Sequence, residues 1–504
     1  MNIIKFIGFL TIVFAAALGV GGCSEVEESN SDIIFSENDR VYQKLQTRIG
    51  GLVFEHNYLV GIPTKETRDK VFDEIDFQRA SQAYVWSVPM TSFFAWKKSL
   101  YDMGGEDGQI HLFEDHQSKL GGLTYNTSTP YVMAFFNVAE QPTLITIPTD
   151  KVRGAVHNAW QIGLSQMTKP GKYLILPKGE MVPDNLSENV TVVESDTNYV
   201  FFGVRLMEET EEKRLIDLSG ILITDINGTP LSNRGVNKPA LGVDGKHPRG
   251  MAFWELMHAA IQVEPVHERD RIMHDMLRPL GIEKGKEFAP TKRQRKILEE
   301  AVVMGEIMSK NIDFNKTGRL EQSEYGPEGN HWEIATASLP DQDRDFGVDL
   351  DGRAAWFYEA VTNDIAMHGM VNGGWGQVYL DNYRDSNDNG LDGGKRYTLT
   401  IDGHVNFAET FWTVTVYNVE NRAIINNKSQ RADVGSNISG TEKNSDGNYV
   451  FHFSPEQPQG VAEANWVQTN PGENWFVYFR AYSPSKEFIA QAPKTILPNF
   501  VEVK

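Results

Sequence analysis

The sequence predicts an α+β fold: two mostly antiparallel β-sandwich or jelly-roll modules, with an N-terminal helical segment and a helical linker between them. Three observations support it. Apolar residues recur at a spacing of three and four, then two, then three and four, then two again, so helix-like and strand-like stretches come in blocks. Blocks of strands set apart from blocks of helices point to segregated layers and away from a doubly wound sheet. No GxGxxG or Walker sequence follows any strand-like run, so a nucleotide-binding βαβ unit has no support.

Residues 1–22 read as an export signal. One basic residue, Lys5, precedes an apolar run from Phe6 to Val20, and two glycines follow before Cys23. The run is shorter than the roughly 20 residues that a membrane-crossing helix needs. Leu18-Gly19-Val20-Gly21-Gly22-Cys23 resembles the lipobox of bacterial lipoproteins, in which the thiol is alkylated with diacylglycerol, the signal is cut away before it, and the new amino terminus receives a fatty acid such as palmitate. Several acyl chains hold a protein on a membrane stably where one does not. Ser24 resembles the outer-membrane sorting pattern, so a lipid-anchored place in the cell envelope is expected, facing the periplasm or the exterior. An ordinary signal with an incidental cysteine is the competing reading, because Leu18 stands two residues before the usual leucine position.

Residues 23–40 are acidic and serine-rich and predict a tether. Residues 41–235 are expected to hold two or three helices over about 41–103, then a first β module whose period-two runs extend from about 121 to 231, with Asn227-Gly228 as a hairpin turn. Residues 236–370 are the expected helical linker, with helix over 253–312 and again near 354–368. Residues 371–504 predict a second β-sandwich, and the alternation in 411–417 and 475–482 is the cleanest strand signal in the chain.

With 48 Lys and Arg against 68 Asp and Glu, the 504 residues carry a formal charge of −20. Such a surface repels phosphate backbones and no local basic patch offsets it, so nucleic acid is excluded as a partner. A single cysteine allows neither an internal disulfide nor a thiolate metal cluster. The absence of GxSxG removes the nucleophile elbow of serine hydrolases, and His258, His267 and His274 are spaced too widely for an HExxH-type zinc site.

Asp313, Asn315, Thr317, Glu321 and Glu324 fall at positions 1, 3, 5, 9 and 12 of a segment with Gly318 at position 6, behind an amphipathic stretch. That is the spacing of a calcium loop, and Ca or Mg is the cation such oxygens take. A solvated turn after a helix offers the same residues, and Tyr325-Gly326-Pro327 leaves no exit helix. The loop 385–394 reads as a long hairpin connection and the acidic run 341–353 as a hydrated loop. Arg205, Arg431 and Arg480 lie in or beside strand patterns, where a part-buried guanidinium needs an anionic partner, either an internal carboxylate or a ligand.

Several spaced motifs agree with a known pair of modules. Gly374-Trp375-Gly376, Leu391-Asp392-Gly393, Tyr397 to Thr400, Phe411 to Tyr417, Arg431, Asn465-Trp466 and Phe476 to Pro484 together resemble the domain of unknown function 1214. Ala83-Tyr84-Val85 with Pro89, Asn126-Thr127-Ser128-Thr129-Pro130-Tyr131, and Thr197-Asn198-Tyr199 ahead of Arg205 resemble its usual companion, the domain of unknown function 1254. Leu280-Gly281-Ile282 with Gly285-Lys286-Glu287-Phe288 matches the linker of that pair, and the resemblance covers about residues 45–500.

The resemblance implies a bacterial, β-rich, often exported protein of mostly unassigned activity, for which metal-dependent hydrolysis of short polyphosphate is one suggested reaction. Through these motifs Asn126, Tyr131 and Trp375 join the three arginines as ligand-binding candidates. Where the family motif has Asp this chain has Ser128, which removes one carboxylate from any metal-holding role. Two functions are therefore expected. One is an envelope lipoprotein that binds a small ligand or an envelope partner. The other is a hydrolase in which a divalent cation and the arginines polarise a small anionic substrate. The acidic surface favours the first, because it repels a polyanion at long range. A homo-oligomer is compatible with either.

Overall fold

The structure, a computed structural model, describes residues 33–37, 40–183, 189–239, 242–370, 373–491 and 497–504. The export signal, Cys23 and the first part of the expected tether lie outside the described residues. The chain divides into two compact units, Met1–Glu74 and Ile75–Lys504.

The first unit is an antiparallel sheet of β1 (Ile33–Glu37), β2 (Arg40–Thr47) and β3 (Gly50–Glu55), in that order. This corrects two expectations. The tether ends in a strand, and residues 41–64 are not helical. Gly50 closes the β2–β3 turn at φ +89°, a conformation that only glycine adopts cheaply. The Gly50-Gly51 pair would cost a helix roughly 1 kcal/mol per glycine relative to alanine, whereas the hairpin register Thr47↔Gly50 to Tyr42↔Glu55 uses both. Tyr58, Leu59, Val60 and Ile62 after β3 are exposed.

Helix α1 (Lys65–Asp102) begins in the first unit, and its later part belongs to the second. It is one helix where two or three were expected, with Pro89 inside it. From Ala80 to Trp96 nearly every side chain is buried, and a helix that is apolar all round is held by the core that surrounds it.

The first module contains β4 (His111–Phe113), α2 (His116–Lys119), β5 (Tyr131–Asn137), β6 (Thr143–Ile147), β7 (Val152–Asn158), β8 (Gly163–Met167), β9 (Gly171–Pro177), β10 (Val190–Ser195), β11 (Tyr199–Leu206), α3 (Glu211–Gly220) and β12 (Leu222–Thr224). Two sheets result, β4-β5-β11-β7-β8 and β10-β9-β6-β12, antiparallel except for the β9/β10 pair. One face of the five-stranded sheet, with Val132, Phe136, Val156, Val200 and Phe202, packs against Ile145 and Ile175 of the other sheet. Side chains alternate across a strand, so the opposite face is free for a different partner.

The linker contributes α4 (Met251–Val263), α5 (Arg271–Leu277), α6 (Lys292–Asp313) and α7 (Leu350–Glu359), together with β13 (Glu333–Ile334) and the small hairpin of β14 (Asp343–Arg344) and β15 (Gly347–Val348). Helix α6 opens on a capping box of Thr291 and Gln294. Its Gly305 lies so close to Tyr84 of α1 that a Cβ there would stand 2.5 Å from the Tyr84 Cβ. The helix expected near 354–368 is α7, which starts earlier because Asp349 caps it through the Gly352 amide, and which ends at Glu359. The irregular chain beyond it enters the cavity described below.

The second module holds β16 (Gln377–Asn382), β17 (Arg396–Ile401), β18 (Ala408–Asn418), β19 (Asp433–Gly435), β20 (Tyr449–Ser454), β21 (Trp466–Gln468), β22 (Trp475–Pro484), α8 (Lys486–Gln491) and β23 (Val501–Val503). Its sheets are β13-β16-β22-β18-β19 and β21-β20-β17-β23. Trp412, Val414 and Phe479 join Phe451 and Phe453 in the core between them. The fold is thus α+β, with two mostly antiparallel two-sheet modules and helices between. Among the described residues no helix is long and apolar enough to cross a membrane.

Candidate functional site

The face of the first module's five-stranded sheet that does not form its own core presents three cross-strand rows. Tyr131, Arg205 and Arg153 are paired in one row; Met133, Gly203 and Ala155 in the next; Phe135, Phe201 and His157 in the third. The second module supplies rows of its own. Gln377, Tyr482 and Phe411 form one, and Tyr379, Arg480 and Thr413 the next. These two faces enclose a cavity of about 500 Å³, with Trp96 of α1 and Trp356 of α7 among its walls. In the middle row the absence of a side chain on Gly203 leaves room for the Phe201 ring, which lies over it.

Arg205 and Arg480 both line this cavity. Arg480 is 3% exposed. Its Nη2 donates to the Thr124 carbonyl at 2.6 Å, its Nη1 donates to the Tyr417 hydroxyl, and its guanidinium lies 4.8 Å from the Tyr478 ring centre. Arg205 donates to Gln377 Oε1 at 3.3 Å and lies over the rings of Tyr131 and Tyr482. Burial pushes the phenols of Tyr379, Tyr417 and Tyr482 up, so these neighbours stay neutral. Among the described residues neither guanidinium forms an ion pair with a carboxylate. Lys119, fully buried behind Tyr131, adds a cation whose pKa burial lowers to about 8. Lys151 and Arg153 stand exposed on the cavity's lining.

The cavity's lining carboxylate, Asp364, is committed to His157, with Nε2 and Oδ2 3.0 Å apart. Burial alone would raise the Asp364 carboxyl, but the His157 hydrogen bond and charge and the Ala366 amide hold it below the usual carboxylate range. His157 Nδ1 is buried and has no hydrogen-bond partner among the described residues.

The other sequence candidates fall in different places. Trp375 lines the cavity and is 46% exposed. Asn126 does not reach the cavity; it positions Tyr131, accepting from the Thr129 amide at 2.9 Å and donating to the Tyr131 hydroxyl. Arg431 is elsewhere, spent on the carbonyls of Trp466 and Glu463 and on the Glu463 carboxylate.

The calcium-loop spacing is not realised as a shell. Asp313 is buried at the end of α6, whereas Asn315, Thr317, Glu321 and Glu324 are exposed. Lys316 folds inward instead, fully buried, with Nζ 2.9 Å from Asp313 and 2.5 Å from Asp381. Asp313, Glu359 and Asp381 offer oxygens within 4.8 Å of one another. Tyr383 and Tyr478 donate to Glu359, and burial pushes the Asp313 and Asp381 carboxyls well up. The Lys316 ammonium stands where a cation would, so these donors do not fit a divalent ion and an ammonium together. His258, His267 and His274 do not converge either: His258 meets the Lys286 carbonyl, His267 approaches Asp196, and His274 packs on Trp86.

Sequence reasoning missed His157, Asp364, Gln377 and Tyr379. The alternation that marks β11 also aims Gly203 and Arg205 at one face, and that was a readable signal; nothing in the sequence ties Asp364 to His157, 207 residues away.

Two family profiles match the chain, each described as a protein of unknown function: DUF1254 over residues 112–216 and DUF1214 over residues 376–486. The cavity draws His157 and Arg205 from the first segment and Gln377 and Arg480 from the second. No curated protein matches the chain. Among solved structures, the VPA0106 protein of Vibrio parahaemolyticus is similar at 18% identity and a TM-score of 0.49, over 85% of this chain and 100% of that one. An uncharacterized protein from Burkholderia cenocepacia is similar at 10% identity and a TM-score of 0.37, over 88% of this chain and 98% of that one.

Proposed function

We propose that this chain, in which a DUF1254 module precedes a DUF1214 module, binds a small organic anion in the cavity between them. One observation carries the reading: two guanidiniums, Arg205 and Arg480, reach the same cavity, and among the described residues neither has a carboxylate to neutralise it. An uncompensated buried charge costs several kcal/mol, and an anionic ligand held by charge-assisted hydrogen bonds removes that cost. The apolar walls supplied by Trp96, Met133, Phe201 and Trp356 suit an organic body. Metal-dependent hydrolysis gains no comparable support, because Lys316 occupies the centre of the carboxylate cluster.

Anchoring through a lipidated Cys23, in the outer membrane more than the inner, is part of the same proposal; it rests on the lipobox resemblance, and Cys23→Ser should then release the protein from membranes. Binding is tested by calorimetry on the soluble chain beginning at Ser24, against carboxylates, sulfonates and phosphates. At least one anion should bind, and Arg480→Met should weaken it by roughly 30-fold or more, the scale of truncating one partner of a buried charge pair. Absence of binding by every anion, or full affinity in Arg480→Met, overturns the reading.

A further inference from the structure

The buried cluster at the end of α6 sets one lysine among three carboxyl groups, those of Asp313, Glu359 and Asp381. Lys316 follows α6, Asp381 stands on β16 beside Tyr478 of β22, and Glu359 ends α7. All four side chains are closed off from solvent. Lys316 Nζ directs its three hydrogens at the Asp313 carbonyl at 2.6 Å, Asp381 Oδ2 at 2.5 Å and the Tyr383 hydroxyl at 3.2 Å. Phe314 and Phe476 stack on the Tyr383 ring and wall the group with apolar surface.

An ion pair in such a place is costly, because both charges have left water. A proton passing from Nζ to Oδ2 along their hydrogen bond removes both charges and leaves an amine beside a carboxylic acid. Burial favours that transfer, pushing the Lys316 ammonium down and the Asp381 acid up. The carboxylates around Lys316 outweigh burial and hold the ammonium above its ordinary value, so the amine is the minor form. A reaction that occurs once in the life of a chain needs no more. The carbon Cγ lies one C–O bond beyond Oδ2, so Nζ is at most about 3.8 Å from it, close to the roughly 3–3.5 Å of a reactive approach. Tyr383 touches both reacting groups. Its hydroxyl is 3.2 Å from Nζ and 3.2 Å from Asp381 Oδ2, and Glu359 Oε2 accepts from it at 2.8 Å.

We infer that the folded chain joins Lys316 to Asp381 through an amide bond of its own making. Nζ attacks Cγ, a second Nζ proton passes through the Tyr383 hydroxyl to Oδ2, and the Cγ–Oδ2 bond breaks to release water. The third proton stays on the amide nitrogen. An ammonium and a carboxylate thus become an amide and one water, with nothing oxidised or reduced and no outside reagent. The enclosure that favours the reaction also keeps water from reversing it. Asp313 is the poorer partner, since its oxygens form no hydrogen bond among the described residues although Oδ1 lies 2.9 Å from Nζ. The bond would clasp the end of α6 to β16 across 65 residues, and it is independent of the anion-binding reading.

Mass spectrometry of the denatured chain beginning at Ser24 tests it. The wild type should weigh one water, about 18 Da, less than its sequence, and a protease digest should yield a branched peptide that holds Lys316 and Asp381. Asp381→Ala should keep the full mass. Tyr383→Phe, which keeps the ring and loses the hydroxyl, should leave most freshly purified chains unlinked, since losing a positioned proton-transfer group slows a reaction by about 100-fold or more. The full sequence mass in the wild type overturns the inference, and so does a water loss that maps elsewhere, to Asp313 included. That measurement needs no variant, so it decides even where a substitution prevents folding. A folded Tyr383→Phe that links as completely as the wild type overturns the proton route.

Discussion

Lys316 shows how one side chain redirects a motif. Its ammonium is fully buried between Asp313 and Asp381, so Lys316→Met leaves those carboxyls without their cation. We expect a loss of about 3–5 kcal/mol in denaturant unfolding, the cost of breaking a buried pair by removing one partner; a loss below 1 kcal/mol would show that protons already neutralise the group. Glu264, buried at the end of α4, accepts from the amides of Asn198 at 2.6 Å and Tyr199 at 2.9 Å. Burial still pushes its carboxyl up to about 7, against those amides and Lys284. A folded pKa above the unfolded one means that the native state holds the extra proton, so the stabilisation is complete below the unfolded value and is lost as pH rises through about 7. Between pH 4.5 and 8 the wild type should therefore lose on the order of 3 kcal/mol more than Glu264→Gln. Parallel pH profiles for the two proteins would contradict this. At this scale the sequence was half legible: Arg205 and Arg480 could be singled out because a charge in a strand demands an anion, whereas Arg431 looks the same in sequence and is satisfied by backbone carbonyls.

Among elements, the strands of both modules were legible because alternation is a local property of the chain, and β16, β17, β18, β20 and β22 all lie where period two placed them. The hairpin of β2 and β3 was not, since its apolar residues also suit a helical spacing and only cross-strand pairing chooses between the two. Strand β11 combines both lessons. Its odd positions, Phe201, Gly203 and Arg205, face the cavity, and a Cβ on Gly203 would stand 2.5 Å from the Phe201 ring. Gly203→Val should push the Phe201 ring into the cavity and weaken anion binding at a stability cost of about 1–3 kcal/mol. Retained affinity in that variant would place the ligand outside the middle row.

For the whole molecule, a charge of −20 surrounds a cavity lined by Lys151, Arg153, Arg205 and Arg480. The two fields differ in range. Raising salt from about 0.01 M to 0.1 M shortens the screening length from about 30 Å to 10 Å, so long-range repulsion should fade while contact with the arginines persists. Stopped-flow tryptophan quenching should therefore show anion association speeding up with salt. A rate that falls would mean that the local cations govern the approach from the start.

The sequence by itself determined the blocks of helix and strand, the two-module order and the acidic surface, because periodicity and charge are written along the chain and need no partner. It also marked Arg205, Arg480, Tyr131 and Trp375. The tertiary structure alone decided that these four share one cavity, that His157 meets Asp364, and that Lys316 takes the place a cation would have had. Apart from Lys316 with Asp313, those contacts join residues far apart in the chain, and burial gives a charge a meaning that its neighbours in sequence cannot.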